Sequence, residues 1–321
     1  MCTYNGERYL QEQLDSIAAQ DILPDELIVV DDRSKDQTVS NLQAFAERVS
    51  FPVRVIINET NLGSTKNFEK AISLCTGDII VFSDQDDVWR SDRLSKTLNF
   101  LVQHPEFDAV FSDAETIDNK SQPVGRRIWE EVQFDKTAQA VWQSGEGYGM
   151  LFTGFVVTGA TLAVRRKALQ TLLPFPTHIK NLIHDGWIAL VLALRGTIGF
   201  IDEPLISYRR HAQQQVGFNA PRHRVTLRER LTRDRREKLE PIEQEATRLR
   251  DLYDLLSARP DVSPARLDLL RRQRDHLQRR ATLPSGRLGR LGPVWNEFVN
   301  GNYQRFNGYW MHTVLGDLLE N

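Results

Sequence analysis

Between Glu7 and Asp113 the apolar residues switch period again and again, and this alternation constrains the fold more than any other feature of the chain. Leu10, Leu14, Ile17 and Ala18 recur at helical spacing and predict a helix over residues 7–20. The turn from Asp21 to Pro24 then leads into ELIVVDD, a short apolar run of buried-strand type. The pattern repeats, with helices predicted over 36–48, 64–75 and 93–103 and strands in PVRVIIN, DIIVFSD and DAVFSD. Helices alternating with buried strands imply an α/β fold built on a mostly parallel sheet flanked by helices. After Gln139 the chain becomes Gly-rich and aromatic, and from Arg222 it turns charged and helical. There Leu249, Leu252, Tyr253 and Leu256 form one apolar stripe, and Leu267, Leu270 and Leu277 another. The expected division is an α/β domain over 1–215 and a basic, mainly helical extension over 216–321.

The net charge of -2 over 321 residues hides an asymmetry: Arg222 to Arg290 holds 19 Lys and Arg against 11 Asp and Glu, leaving the remainder acidic. Cys2 and Cys75 are the only cysteines, with no spacing for zinc and no disulfide framework, which suits a reducing cytoplasm. The stretches MLFTGFVVTGATLAV and LIHDGWIALVLALRGTIGFI are too short or too interrupted by charge to span a membrane. No aromatic-interleaved basic patch or motif for nucleic acid is present.

In a parallel α/β sheet ligands bind beyond the carboxyl ends of the strands, and acidic residues fall there repeatedly. Asp31 and Asp32 follow LIVV, Asp84 and Asp86 follow IIVFS, and Asp113 follows AVFS. One such Asp is an ordinary cap or turn former, but several at one sheet end repel one another unless a cation or a donor-rich ligand sits among them. SDQDDVW is not a calcium-binding EF-hand loop, because counting from Asp84 puts Trp89 where that loop needs Gly and Ser95 where it needs Glu. A short Asp-x-Asp suits Mg2+ or Mn2+, which take one or two carboxylates together with diphosphate oxygens and water. No Walker loop or Gly-x-Gly-x-x-Gly is present to cradle phosphate.

Taken in order, TYNG, VVDDRSKDQT, NLGSTKNF, GDIIVFSDQDDVW, VTGATLAVRR, HDGW and YRRH resemble the inverting glycosyltransferases of family 2, which have the GT-A fold. The resemblance covers residues 1 to about 215, and SDQDDVW, HDGW and YRRH look most like the bacterial rhamnosyltransferases of O-antigen and other surface polysaccharides. It implies a nucleotide site containing Thr3, Tyr4 and Asn5, with Tyr4 stacking on a pyrimidine base and Asp32 accepting its N3–H. Asn61, Gly63 and Asn67 would shape the ribose wall, or simply form a turn and helix start. Asp84 and Asp86 would bind the diphosphate through the metal, with Asp87 in support. Asp185 matches the catalytic base, preceded by His184. Arg209, Arg210 and His211 would close over the diphosphate, while Gly159 and Trp187 fall at the acceptor pocket, although a core role for Trp187 stays open.

The family's strand of about six apolar residues leading into TYNG, central in its sheet, has no counterpart here. The expectation is that Met1 is an internal methionine taken as a start, the rival being a truncated and impaired chain. For the basic tail three readings compete: a solvated helix face laced with i,i+4 pairs, peripheral docking on anionic inner-leaflet lipid, and nucleic-acid binding, which no motif supports. The implied activity is transfer of a sugar, L-rhamnose from dTDP-L-rhamnose or a hexose from a UDP donor, to a lipid-linked glycan in the cytoplasm. A non-catalytic nucleotide-binding remnant is the alternative. A pyrophosphorylase would need a glycine-rich basic loop that the sequence lacks.

Overall fold

The computed structural model describes residues 1–211 and 235–319. The chain forms two compact units, Met1–Phe218 and Asn219–Asn321. The expected boundary after residue 215 and the first part of the basic stretch lie outside the described residues.

The first unit opens with a parallel three-stranded sheet in the order β1 (Cys2–Thr3), β2 (Leu27–Asp31), β3 (Val53–Ile57). Between these strands run α1 (Leu10–Ala18) and α2 (Thr38–Ala46), and α3 (Ser64–Leu74) follows β3. Leu10, Leu14 and Ile17 of α1 are buried as its spacing predicts, and Ala18 is half-buried. Its Gln13 and Ser16 share the buried face because each has a partner elsewhere: Gln13 Nε2 donates to Ser83 Oγ, and Trp89 N donates to Ser16 Oγ.

The second sheet is mixed. Its strands are β4 (Ile79–Val81), β5 (Val88–Trp89), β6 (Ala109–Ile117), β7 (Pro123–Arg127), β8 (Ala163–Arg165) and β9 (Ile198–Arg209). They lie in the order β4-β8-β6-β9-β5, with β7 on β6. Only β6 and β9 pair in parallel; β4 with β8, β6 with β8, β6 with β7 and β5 with β9 are antiparallel. Parallel pairing throughout would require a helical crossover before every strand. Here β7 returns from β6 by a tight turn and β8 is entered through the 3-10 turn Gly159–Thr161, so both run against β6. The two sheets share no strand pairing among the described residues, and an apolar cavity of about 200 Å³ is lined among others by Ile28, Phe68, Ile72 and Ile80.

Helices α4 (Arg93–Gln103), α5 (Ile128–Glu131), α6 (Lys136–Gln143), α7 (Arg166–Gln170) and α8 (His184–Arg195) complete the unit. From Trp187 to Leu194 every residue of α8 is buried, as expected of a helix apolar all round. It ends at Gly196, whose φ of 77° is the left-handed C-terminal cap that glycine adopts without strain. Its opposite end carries His184 and Asp185, so a rigid core helix positions both.

The second unit packs α9 (Arg235–Ser257) on α10 (Pro264–Ala281), followed by α11 (Arg287–Val299), α12 (Asn302–Phe306) and α13 (Trp310–Leu319). Both expected stripes contribute buried leucines, Leu249, Leu252 and Leu256 from one and Leu267 and Leu270 from the other. Outside them, Arg271 and Arg272 pair with Asp268 on α10, the laced helix face that one sequence reading expects. Among the described residues no helix is long and apolar enough to cross a membrane.

Gly199 of β9 leaves no room for a side chain: an added Cβ would sit 2.8 Å from Phe100 Cζ and 2.9 Å from Phe107 Cδ2. Substituting Gly199→Ala should destabilise the first unit by about 1–3 kcal/mol through overpacking, read from denaturant unfolding midpoints. An unchanged midpoint would contradict this packing.

Candidate active site

Four carboxylates gather near the end of β4. Asp84, Asp86 and Asp87 lie in the loop between β4 and β5, and Asp185 starts α8. Arg93 Nη2 donates to both Phe82 O and Ala160 O, and the His184 ring lies 5.9 Å from that of Phe82, which brings the loop after β4 beside Gly159 and the start of α8. Burial, then the charges of Asp86 and Asp185, push the Asp84 carboxyl up to about 7. Burial, then Asp87, Asp84, Asp86 and Asp185 together, raise the phenol of Tyr208 on β9, so one ring senses all four acids. Asp87 is buried and raised well above the usual carboxylate range by burial and by Asp86 and Asp84.

Two arginines hold this repulsive group together. Arg93, at the start of α4, is buried with its guanidinium 4.1 Å from the Trp89 ring centre, and Nη2 donates to Phe82 O and Ala160 O. Burial lowers its pKa to about 9, against the opposing pull of Asp87 and Asp84, so it remains a cation behind them at neutral pH. Arg209, at the end of β9, donates its backbone N–H to Asp87 Oδ1 at 3.0 Å and its Nε to Asp86 O at 2.7 Å. Its remaining nitrogens reach Asp118 O, Ser121 Oγ and Glu12 Oε2. The expected role of Arg209 in closing over a diphosphate is therefore corrected: its side chain is fully buried and spent on fixing the acidic loop. Arg210 is likewise engaged, by Glu131. His211 is the member of the trio whose side chain meets a carboxylate of the cluster, with Nε2 2.7 Å from Asp86 Oδ2 and its ring against Tyr9.

Asp185 is oriented by two backbone donors, Gly159 N on Oδ2 and Gly186 N on Oδ1, each at 2.7 Å. Gly159 leaves little room for a side chain, since a Cβ there would lie 3.0 Å from Asp185 Oδ2 and 3.3 Å from His184 Nε2, so one of the two would have to give way. His184 stacks on Phe68 at 4.1 Å and is kept neutral by burial, which lowers its pKa. Trp187 is corrected from an acceptor-facing ring to a core residue: it is buried, and Nε1 donates to Leu172 O.

At the first sheet, Tyr4 presents a ring that is 45% exposed, while its backbone N–H and C=O are stitched to the Gln85 amide. Thr3 Oγ1 donates to buried Asp31, and Asn5, at φ 47°, bonds Ser34 and Lys35. The Asp32 carboxylate accepts from Asn58 Nδ2, Leu62 N and Gly63 N, and Asn61 Nδ2 donates to Asp32 O. Asn67 is buried, donating to Val30 O and accepting from Asn58. Asp32 and Asn67 thus lock the turn at Asn61–Gly63 rather than offering free edges, and Gly63 is needed there for its φ of 76°. Asp113 stands apart, accepting from Ala114 N and Trp129 N where β6 is irregular. Asn58, Gln85 and Arg93 were not singled out from sequence; the polar residues flanking Asp-x-Asp and ending β3 were the available signal.

Among the described residues no three Asp, Glu, His or Cys side chains form a closed metal cage. Asp84 and Asp86 nevertheless fit a hard divalent cation. They are two carboxylates whose mutual repulsion a cation would relieve, and His211, on Asp86 Oδ2, is the partner that such an ion would displace.

The family model of glycosyl transferase family 2 matches residues 1–173, and the chain belongs to that family. It spans 57% of the length of the first curated relatives it matches. The dTDP-rhamnosyl transferase RfbG of Shigella flexneri is 28% identical over 239 residues, covering 68% of this chain and 74% of that protein. S. aureus TarS residues 1–349, solved with UDP-GlcNAc, superposes with a TM-score of 0.54 at 18% identity, over 99% of this chain and 80% of that one. The mannosyltransferase PcManGT from Pyrobaculum calidifontis, solved with GDP-Man and Mn2+, gives 0.52 at 18% identity, over 98% and 82%. The fold is the GT-A type.

Replacing Arg93 by Met keeps the volume and removes the buried cation that favours the ionised Asp84. The Asp84 pKa should then rise above about 7, followed by carboxyl carbon chemical shifts across a pH titration. An unmoved titration would remove Arg93 from the electrostatics of the cluster.

Proposed function

We propose that the chain is an inverting, metal-dependent glycosyltransferase that moves a sugar from a nucleoside diphosphate to a hydroxyl of a growing surface polysaccharide. In its sharpest form the donor is dTDP-L-rhamnose, and the acceptor is an O-antigen glycan on a lipid carrier at the cytoplasmic face of the membrane. The observation that carries this reading is the convergence of Asp84 and Asp86 with Asp185, a carboxylate held by two backbone donors at the start of a rigid helix. The donor class is supported by the name of the Shigella relative and by the nucleotide sugars in the two solved neighbours. The 45% exposure of Tyr4 supports a role for it in stacking on a base, and the contact of His211 with Asp86 supports a role for it beside a diphosphate.

In this reading Asp185 takes the proton of the acceptor hydroxyl as that oxygen bonds to the anomeric carbon. The bond from that carbon to the diphosphate oxygen breaks, and its electron pair leaves with the nucleoside diphosphate. One displacement inverts the anomeric centre. Gly159 N and Gly186 N fix the plane of the carboxylate, and His184, packed on Phe68, supports Asp185 without itself carrying charge. Mg2+ or Mn2+ held by Asp84 and Asp86 would neutralise the charge of the departing diphosphate. Asp87 and Arg209 position that loop rather than touch the substrate.

Asp185→Asn should lower transfer from dTDP-L-rhamnose by about 10²–10⁴-fold while nucleotide affinity stays within about two-fold, measured by product formation and calorimetry side by side. Loss of nucleotide binding in the same variant would overturn the assignment of Asp185 as base.

A further inference from the structure

The loop that carries Tyr4 is fastened on two sides, and the two sides differ. Residues 5–7 are held by the loop after β2: Asn5 N donates to Ser34 Oγ, Gly6 N to Thr38 Oγ1 and Glu7 N to Asp36 Oδ2, while Asn5 Oδ1 accepts from Lys35 N. Tyr4 itself is held from the acidic loop. Its N–H donates to Gln85 Oε1 at 2.8 Å, and its C=O accepts from Gln85 Nε2 at 3.1 Å. Gln85 is the residue between Asp84 and Asp86. One side-chain amide therefore ties the backbone under the exposed ring to the middle of the Asp-x-Asp segment.

Two residues are suited to this contact. Glutamine brings a donor and an acceptor without a charge, so it meets both the N–H and the C=O of one residue. Glutamate would set a second acceptor against the Tyr4 C=O and a third negative charge between Asp84 and Asp86. Gly6 supplies the space. A Cβ there would lie 2.3 Å from Gln85 Oε1 and 2.5 Å from Gln85 Cδ, so the amide would have to leave its place. The backbone of Gly6 is not left-handed, and a methyl group would therefore act through Gln85 rather than through strain.

We propose that Gln85 is a positioning residue for base recognition: it holds the Tyr4 ring for stacking from the same loop that carries the diphosphate-binding acids. The base end and the diphosphate end of one donor are then read by a single braced unit. The inference rests on the reading of Tyr4, Asp84 and Asp86 as a nucleotide site. A ring on an unbraced loop would have to be ordered by the nucleotide during binding, and the two hydrogen bonds remove that cost beforehand. One to two neutral hydrogen bonds set the effect at about three- to thirty-fold in affinity.

The test is calorimetric titration with dTDP, with UDP and with inorganic diphosphate, each in the presence of Mn2+. The proteins are wild type, Gln85→Ala, Gly6→Ala, Tyr4→Ala and the double variant Gln85→Ala, Tyr4→Ala. Gln85→Ala and Gly6→Ala should each weaken the nucleotide that wild type binds by about three- to thirty-fold, while inorganic diphosphate stays within about two-fold and the unfolding midpoint is retained. Gly6→Ala leaves the glutamine in the chain and so tests the contact by a second route. Because Gln85 acts through Tyr4, adding Gln85→Ala to Tyr4→Ala should cost less than about two-fold. Nucleotide binding at the wild-type level in both Gln85→Ala and Gly6→Ala would overturn the proposal. So would equal weakening of nucleotide and inorganic diphosphate, which would assign Gln85 to the metal loop alone, or a Gln85→Ala effect undiminished by Tyr4→Ala. Wild-type protein that binds inorganic diphosphate but neither nucleotide would remove the base site and this inference together, whereas nucleotide binding indifferent to Gln85 and Gly6 would remove the inference alone.

Discussion

Like charges held together organise the first unit. Asp84, Asp86, Asp87 and Asp185 would spread apart in water, yet here they share one end of a sheet because two buried arginines and a set of backbone donors outweigh their repulsion. Arg209 ties the end of the longest strand to the acidic loop, and Arg93 backs the same loop from the start of α4. Neither arginine offers a free face to a ligand. Each makes it possible for the acids to wait, partly protonated at Asp84, for a cation and a diphosphate that complete the charge balance.

The order of helices and strands was legible because their apolar periods are unambiguous: α4 runs over the predicted residues, and α3 differs by one. Strand direction was less legible. Nothing in the period of β7 says that a tight turn returns the chain to β6, and nothing in that of β8 says that it runs against β6. The site shows the same division. Asp84, Asp86 and Asp185 could be named because a motif carries them, and Gly159 because it lies in one; the reason for Gly159, a backbone N–H held against Asp185, needs three dimensions. Asp32 and Asn67 read as ligand contacts and are found locking a turn through Asn58, a residue that no motif marks. Trp187, for which a core role stays open in the sequence, and Arg209 share one difficulty: an aromatic or cationic residue inside a motif looks available until burial is known.

The second unit obeys different physics. Its interior is tied by ion pairs at Glu297 and Asp317, and the apolar residues that would ordinarily be inside are partly outside on α11 and α13. Both carboxylates among the described residues from Gly286 to Leu319 are buried, so the polar core and the apolar face belong to one arrangement. Sequence reading found the excess of arginine but assigned its meaning to charge alone, because the amphipathic stripe is set by which side of each helix the core takes.

The central claim is that the clustered carboxylates are a site for a cation and a nucleoside diphosphate together. Calorimetric titration of the protein with dTDP, UDP and GDP, each with and without Mn2+, tests it most directly. The account predicts that a pyrimidine nucleotide binds at least about ten-fold more tightly with Mn2+ than without, and that Asp86→Asn removes the difference. Equal binding with and without the metal, or a metal effect that survives in Asp86→Asn, would contradict it.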